Sequence, residues 1–134
     1  MIVVDSNLIA YLLIPGNKSA LAERILLKDP EWAVPLICRS EMRNILTLYM
    51  RHEGMSLVQA NSTMEKAEAL WRDREYAVPS DAVLKLTSLS SVTAYDAEYV
   101  ALAKQLVVGL VTFDRPLRKA FPDIALEPEK FAAT

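Results

Sequence analysis

Four carboxylates, Asp5, Glu41, Asp96 and Asp114, are the residues of this sequence best suited to chemistry. Brought to one place, they would repel one another and push each other's pKa upward. A carboxylate buried alone and ionised also costs several kcal/mol. A divalent cation relieves both penalties at once. The chain has a single cysteine, Cys38, and a single histidine, His52, which rules out a structural zinc site of the usual Cys/His kind. Any metal must be held by oxygen, so magnesium comes first and manganese second.

The elements that would position these acids are read from hydrophobic periodicity. Ile2 to Val4 is a β-branched strand that ends at Asp5, and Val107 to Thr112 is an apolar strand two residues before Asp114. Further strands are expected at Trp32 to Val34, broken by Pro35, at Tyr76 to Val78, and weakly at Ala125 to Leu126. Helices are expected over Ser6 to Leu13, Ser19 to Lys28, Arg39 to His52, Ser56 to Arg72, Ser80 to Ser88, Thr93 to Gln105 and Leu117 to Phe121. Gly54 supplies the stop after His52. Strands alternating with helices predict an α/β fold, a three-layer α/β/α sandwich with a mainly parallel central sheet. Such sheets bind ligands in the crevice beyond the strands' carboxyl ends, where Asp5 and Asp114 would stand. Asp96, Tyr99, Val100 and Ala103 follow one helical stripe at i, i+3, i+4 and i+7. Glu41 lies about 40° around its helix from Ile45, at the border of the apolar face.

Each acid also has an ordinary structural reading. Thr93-Ala94-Tyr95-Asp96 matches a capping box. Asp5 before Ser6-Asn7, and Asp114 before Arg115-Pro116, are natural helix N-caps. Glu41 is a first-turn acid that a helix dipole would favour. The functional reading rests on the conjunction of the four.

The 134 residues are one domain's worth of chain, and 52% hydrophobic with 24% charged residues is a globular composition. No basic leader precedes Asp5, and no segment approaches roughly 18 uninterrupted apolar residues, so neither a signal peptide nor a membrane span is expected. The lone cysteine fits a reducing, cytoplasmic setting. The net charge of −2 argues against nucleic acid as a partner, so any basic surface must be local. Arg115, Arg118 and Lys119 follow Asp114, and Arg39 and Arg43 bracket Glu41. Both groups would meet phosphates or would simply be solvated helix faces. Asn7 and Thr112 would orient the acids by hydrogen bonds, or fill turn and cap roles.

The run Ile2-Val3-Val4-Asp5-Ser6-Asn7-Leu8-Ile9 resembles the opening motif of PIN-domain nucleases. Ser40-Glu41, the stretch from Tyr95-Asp96 to Leu102-Ala103, and Thr112-Phe113-Asp114 resemble the family's other three motifs, in order and spacing. A stand-alone domain of this length is similar to the toxin halves of VapBC-type toxin–antitoxin pairs. The resemblance implies one PIN-like nuclease domain over residues 1–134, which hydrolyses RNA phosphodiesters with one or two Mg2+ or Mn2+ ions held by Asp5, Glu41, Asp96 and Asp114. Some members carry a further acid shortly after the fourth motif, whereas Arg115, Leu117 and Arg118 follow here. An antitoxin partner is also implied, for which Leu57, Met64 and Leu70-Trp71 are candidate contacts if they are not core. The slightly high apolar content hints that a partner covers some surface, although buried central strands would raise it too; a homodimer is expected. The alternatives are a non-catalytic PIN-like module binding RNA or protein, and an RNA-processing nuclease outside any toxin pair. A haloacid-dehalogenase phosphatase would want an acid where Asn7 stands, and a receiver domain would want an acidic pair near the first strand.

Overall fold

A computed structural model describes residues 1–134. Its five strands are β1 (Ile2–Val4), β2 (Trp32–Pro35), β3 (Glu75–Tyr76), β4 (Leu110–Val111) and β5 (Ala125–Leu126). They form one sheet in the order β3-β2-β1-β4-β5, with every pairing parallel. The expected mainly parallel sheet is thus wholly parallel. β1, β2 and β4 are buried along their length, as strands covered on both faces must be.

The helices are α1 (Ser6–Leu13), α2 (Ser19–Lys28), α3 (Ile37–His52), α4 (Leu57–Leu70), α5 (Ser80–Ser88), α6 (Ala94–Leu106), α7 (Arg115–Ala120) and α8 (Pro128–Ala133). Right-handed crossovers send α1 to α4 to one face and α5 to α7 to the other. The packing agrees: α6 lies on β1, β2 and β4 with α5 against it, while α1 contacts α2, α3 and α4. No helix is long and apolar enough to cross a membrane.

The chain leaves β1 toward β2 in one direction and reaches β4 on β1's other side, so the topological switch point lies between β1 and β4. The crevice expected to bind ligands opens there. Asp5 follows β1 and Asp114 follows β4, on the two lips of that crevice.

Several boundaries differ from the sequence expectations, each for a local reason. Pro35 ends β2 instead of breaking it. Val34 N and Leu36 N donate toward β3, so the missing Pro35 N–H faces β1, where the register has already ended at Val3↔Ala33. β3 starts at Glu75, not Tyr76, because Glu75 pairs with Val34, and it ends at Tyr76, short of the expected Val78. β4 is shorter than Val107 to Thr112, since Val107 caps α6 in the left-handed region at φ 56°. For a β-branched residue that conformation is strained. The helix after β4 begins at Arg115 instead of Leu117, with Pro near its start where no N–H is needed. Helix α8 has no counterpart in the expectations. Lys28 Nζ ties it down, donating to Phe131 O at 2.5 Å and bonding Thr134 Oγ1. Of the residues considered for partner contact, Trp71 is core at 1% exposed, whereas Leu57 stands out in solvent.

Candidate active site

Asp5 is buried, and its carboxylate is held from both sides. Oδ1 accepts from Leu8 N at 2.9 Å as the N-cap of α1. Oδ2 accepts from the Thr112 hydroxyl at 2.6 Å and from Phe113 N at 3.1 Å. Burial raises its pKa, these three bonds oppose the rise, and the charge of Asp114 adds to it. Capping and site membership are therefore compatible here, because a carboxylate has about four acceptor positions and three are used.

Thr112, fully buried, links the two strand-end acids. Its hydroxyl donates to Asp5 and accepts from Asp114 N at 3.0 Å. Asp114 in turn caps α7, with Oδ1 accepting from Leu117 N at 2.9 Å.

Asp96 lies in the first turn of α6, half-buried. Thr93 Oγ1 accepts from Asp96 N at 3.1 Å, which is half of a capping box. The complete box occurs at α4, where Ser56 and Gln59 bond reciprocally. Burial raises the pKa of Asp96, Asp114 raises it further, and a side-chain hydrogen bond with Thr93 opposes the rise.

Glu41 is half-buried and stands beyond the first turn of α3, which holds no acid. The dipole reading therefore loses its basis. One Glu41 oxygen accepts from the Tyr99 hydroxyl at 2.5 Å. Its pKa is raised by burial, lowered by that bond, and raised again by Asp96, Asp5 and Glu98. Tyr99 touches the candidate site, a contact that sequence reasoning passed over, having placed the residue in a buried stripe and a motif without giving it a role. The available signal was that a buried tyrosine hydroxyl needs a partner.

These repulsions link all four acids in a ring: Asp5 with Asp114, Asp114 with Asp96, Asp96 with Glu41, and Glu41 with Asp5. Residues far apart in the chain are therefore near enough to feel one another's charge. No three acidic side chains, as they stand, are grouped closely enough to hold an ion between them. The donor chemistry fits a hard cation, being all oxygen and excess negative charge, but the cage is not preformed.

The remaining candidates divide. Asn7 is exposed and lines a cleft of about 360 Å³ with Ser6, Ser40, Glu41, Asn44 and Tyr95. Arg43 and Arg115 are exposed and form no ion pair within the protein. Arg118 donates to Thr112 O at 2.9 Å, so its guanidinium braces the end of β4 and is not wholly free for phosphate. Arg39 turns away from Glu41 to pair with Glu75 at 2.5 Å and Glu68 at 3.0 Å.

Residues 2–121 match the PIN domain family. The chain is 32% identical over 127 residues to Ribonuclease VapC3 of Pyrobaculum aerophilum, covering 90% of this chain and 95% of that protein. Its fold resembles that of FitAcB from Neisseria gonorrhoeae, at a TM-score of 0.76 and 19% identity, over 96% of this chain and 99% of the other. PAE2754 from Pyrobaculum aerophilum gives a TM-score of 0.76 at 22% identity, over 98% and 92% of the two chains. A toxin–antitoxin complex from Klebsiella pneumoniae gives 0.69 at 19% identity, over 96% and 98%.

Proposed function

This chain belongs to the PIN-domain family, and from that premise we propose that it is a metal-dependent endoribonuclease, the toxin of a toxin–antitoxin pair. The observation that carries the reading is geometric: the Thr112 hydroxyl bonds both Asp5 and the backbone of Asp114 at the ends of β1 and β4, with Glu41 and Asp96 near enough for charge to be felt. Relatedness to a ribonuclease over nearly the whole chain supports it.

In this reading the four carboxylates hold one or two Mg2+ or Mn2+ ions. A bound divalent cation supplies charge neutralisation, polarises the phosphodiester and lowers the pKa of water. The chain's own groups do the rest. Thr112 fixes Asp5 and the backbone of Asp114 relative to each other. The Asp96 carboxylate, which completes no capping box and has only the Thr93 side chain beside it, would take the proton of the attacking water. The water oxygen would bond to phosphorus as the bond to one ribose oxygen breaks, and that oxygen would leave as the alcohol, protonated by solvent water. Arg43 and Arg115 meet the flanking phosphates, and Asn7 hydrogen-bonds at the cleft's edge. Arg118 contributes through its hold on Thr112 as well as through charge.

The domain spans residues 1–134 and works in the cytoplasm as a homodimer bound by a cognate antitoxin. Leu57 and Val58 stand exposed on α4, beside a groove of about 690 Å³ between α1, α3 and α4. An apolar segment of the antitoxin would dock there.

The test is cleavage of single-stranded RNA by the purified protein with Mg2+ or Mn2+, with EDTA, and by Asp114→Asn. Cleavage that needs the metal and is lost in the variant supports the proposal. Absence of cleavage with either metal, or cleavage undiminished by EDTA, sinks it. Growth arrest on induction, relieved by co-expressing the neighbouring gene, separates a toxin from a processing enzyme.

A further inference from the structure

We infer that Tyr99 is a positioning residue for this site: its phenol fixes the Glu41 carboxylate over the crevice and ties α3 to α6. The inference rests on the metal-dependent reading above and deepens it.

The Tyr99 O–H donates to Glu41 Oε1, and this is the single hydrogen bond that the Glu41 carboxylate makes within the protein. The two partners differ in freedom. Tyr99 is 2% exposed and part of the main core cluster, so its ring cannot swing. Glu41 is half-buried on a long side chain, and fixing such a chain costs rotamer entropy. The rigid partner therefore sets where the flexible one points.

The chemistry of the donor matters as much as its rigidity. A tyrosine hydroxyl is a neutral donor. It orients the carboxylate without cancelling the charge that would attract a cation, as a lysine or arginine at this place would. Bonding at Oε1 leaves Oε2 open as a ligand. Tyr99 also stands three residues beyond Asp96 on α6, so one helix face presents both groups. Since α3 and α6 lie on opposite faces of the sheet, this bond links the two helix layers.

A purely structural role would explain the bond differently, with the Tyr99 ring serving as core and its hydroxyl taking the nearest acceptor. The two roles separate in a double-mutant cycle on metal affinity. Mn2+ is titrated calorimetrically into the metal-free wild type, Tyr99→Phe, Glu41→Gln, the double variant and Asp5→Asn. Tyr99→Phe should weaken Mn2+ binding by about 10- to 100-fold, the effect typical of a group that orients a ligand. In the Glu41→Gln background it should cause no further loss. The rise in melting temperature on adding Mn2+ gives the same ordering even in a variant that has lost stability. Unchanged affinity in Tyr99→Phe, or an equal loss with and without Glu41, overturns the inference. If Asp5→Asn loses Mn2+ binding while Tyr99→Phe keeps it, the inference alone falls. If Asp5→Asn binds as the wild type does, the metal-site reading itself is wrong.

Discussion

The two aspartates at the strand ends and the two acids on the helices meet in one crevice under different constraints. Asp5 is buried, accepts three hydrogen bonds and caps α1, and Asp114 caps α7. Glu41 and Asp96 are half-buried; one leans on Tyr99, and the other follows a cap that its carboxylate does not complete. At the strand ends the atoms that hold the fold are the atoms of the candidate site. On the helices the two duties are separate. Asking whether an acid is a cap or a ligand thus has a sharp answer for Asp96 and none for Asp5.

Variants can break that contrast. The largest effect is expected for Asp96→Asn, which should lower RNA cleavage by about 10³-fold, or about 4 kcal/mol in the barrier. Its metal-free stability should hold or rise, since one repelling charge is gone. Cleavage at saturating Mg2+ and urea denaturation with EDTA measure the two quantities. Lost stability with intact cleavage would make Asp96 a structural acid after all.

Asp5→Ala should fail on both counts. Loss of the cap costs about 0.5–2 kcal/mol, and the Thr112 hydroxyl and Phe113 N–H lose their acceptor at about 1–3 kcal/mol each. Relief of a buried charge offsets part of this, leaving a net loss of about 2 kcal/mol by denaturant unfolding. A fully stable Asp5→Ala would erase the difference between the two pairs.

The smallest effect is a slope against pH. The carboxyls of Asp5, Glu41 and Asp96 are raised in the folded protein above ordinary values of 3.8 for aspartate and 4.5 for glutamate, first by burial. The folded state therefore holds their protons more tightly than the unfolded state. Their contribution to stability is full below those ordinary values and is lost as pH rises through the raised ones. Metal-free protein should show a falling urea midpoint over that range, flatter in Asp5→Asn. A midpoint that climbs with pH would mean that hydrogen bonding outweighs burial at these acids.

Much of this was legible in the sequence. The β-branched run before Asp5, the helical stripe from Asp96 to Ala103 and the alternation of strands with helices led to a parallel sheet with acids at its carboxyl edge. Other features depend on partners that no local pattern contains. Periodicity reads Val107 as strand, because nothing nearby reveals its left-handed backbone. Arg39 looks like a neighbour of Glu41 until Glu75, 36 residues on, claims it. Arg118 looks like a phosphate ligand until the end of β4 supplies a carbonyl. Helix α8 offers too few residues for a periodic signal and is held by a contact 103 residues back, to Lys28. The feature that distinguishes Glu41 is a bond to a residue 58 positions away.

The spacing of the ring along the chain has a consequence for biosynthesis. Its members come from positions 5, 41, 96 and 114 of 134, and β4 is the strand that completes the switch point. At a translation rate of about 5–20 residues per second, roughly 5 to 20 seconds separate the emergence of Asp5 from that of Asp114. A truncated or stalled product ending before Asp114 lacks one lip of the crevice, however well its first helices pack.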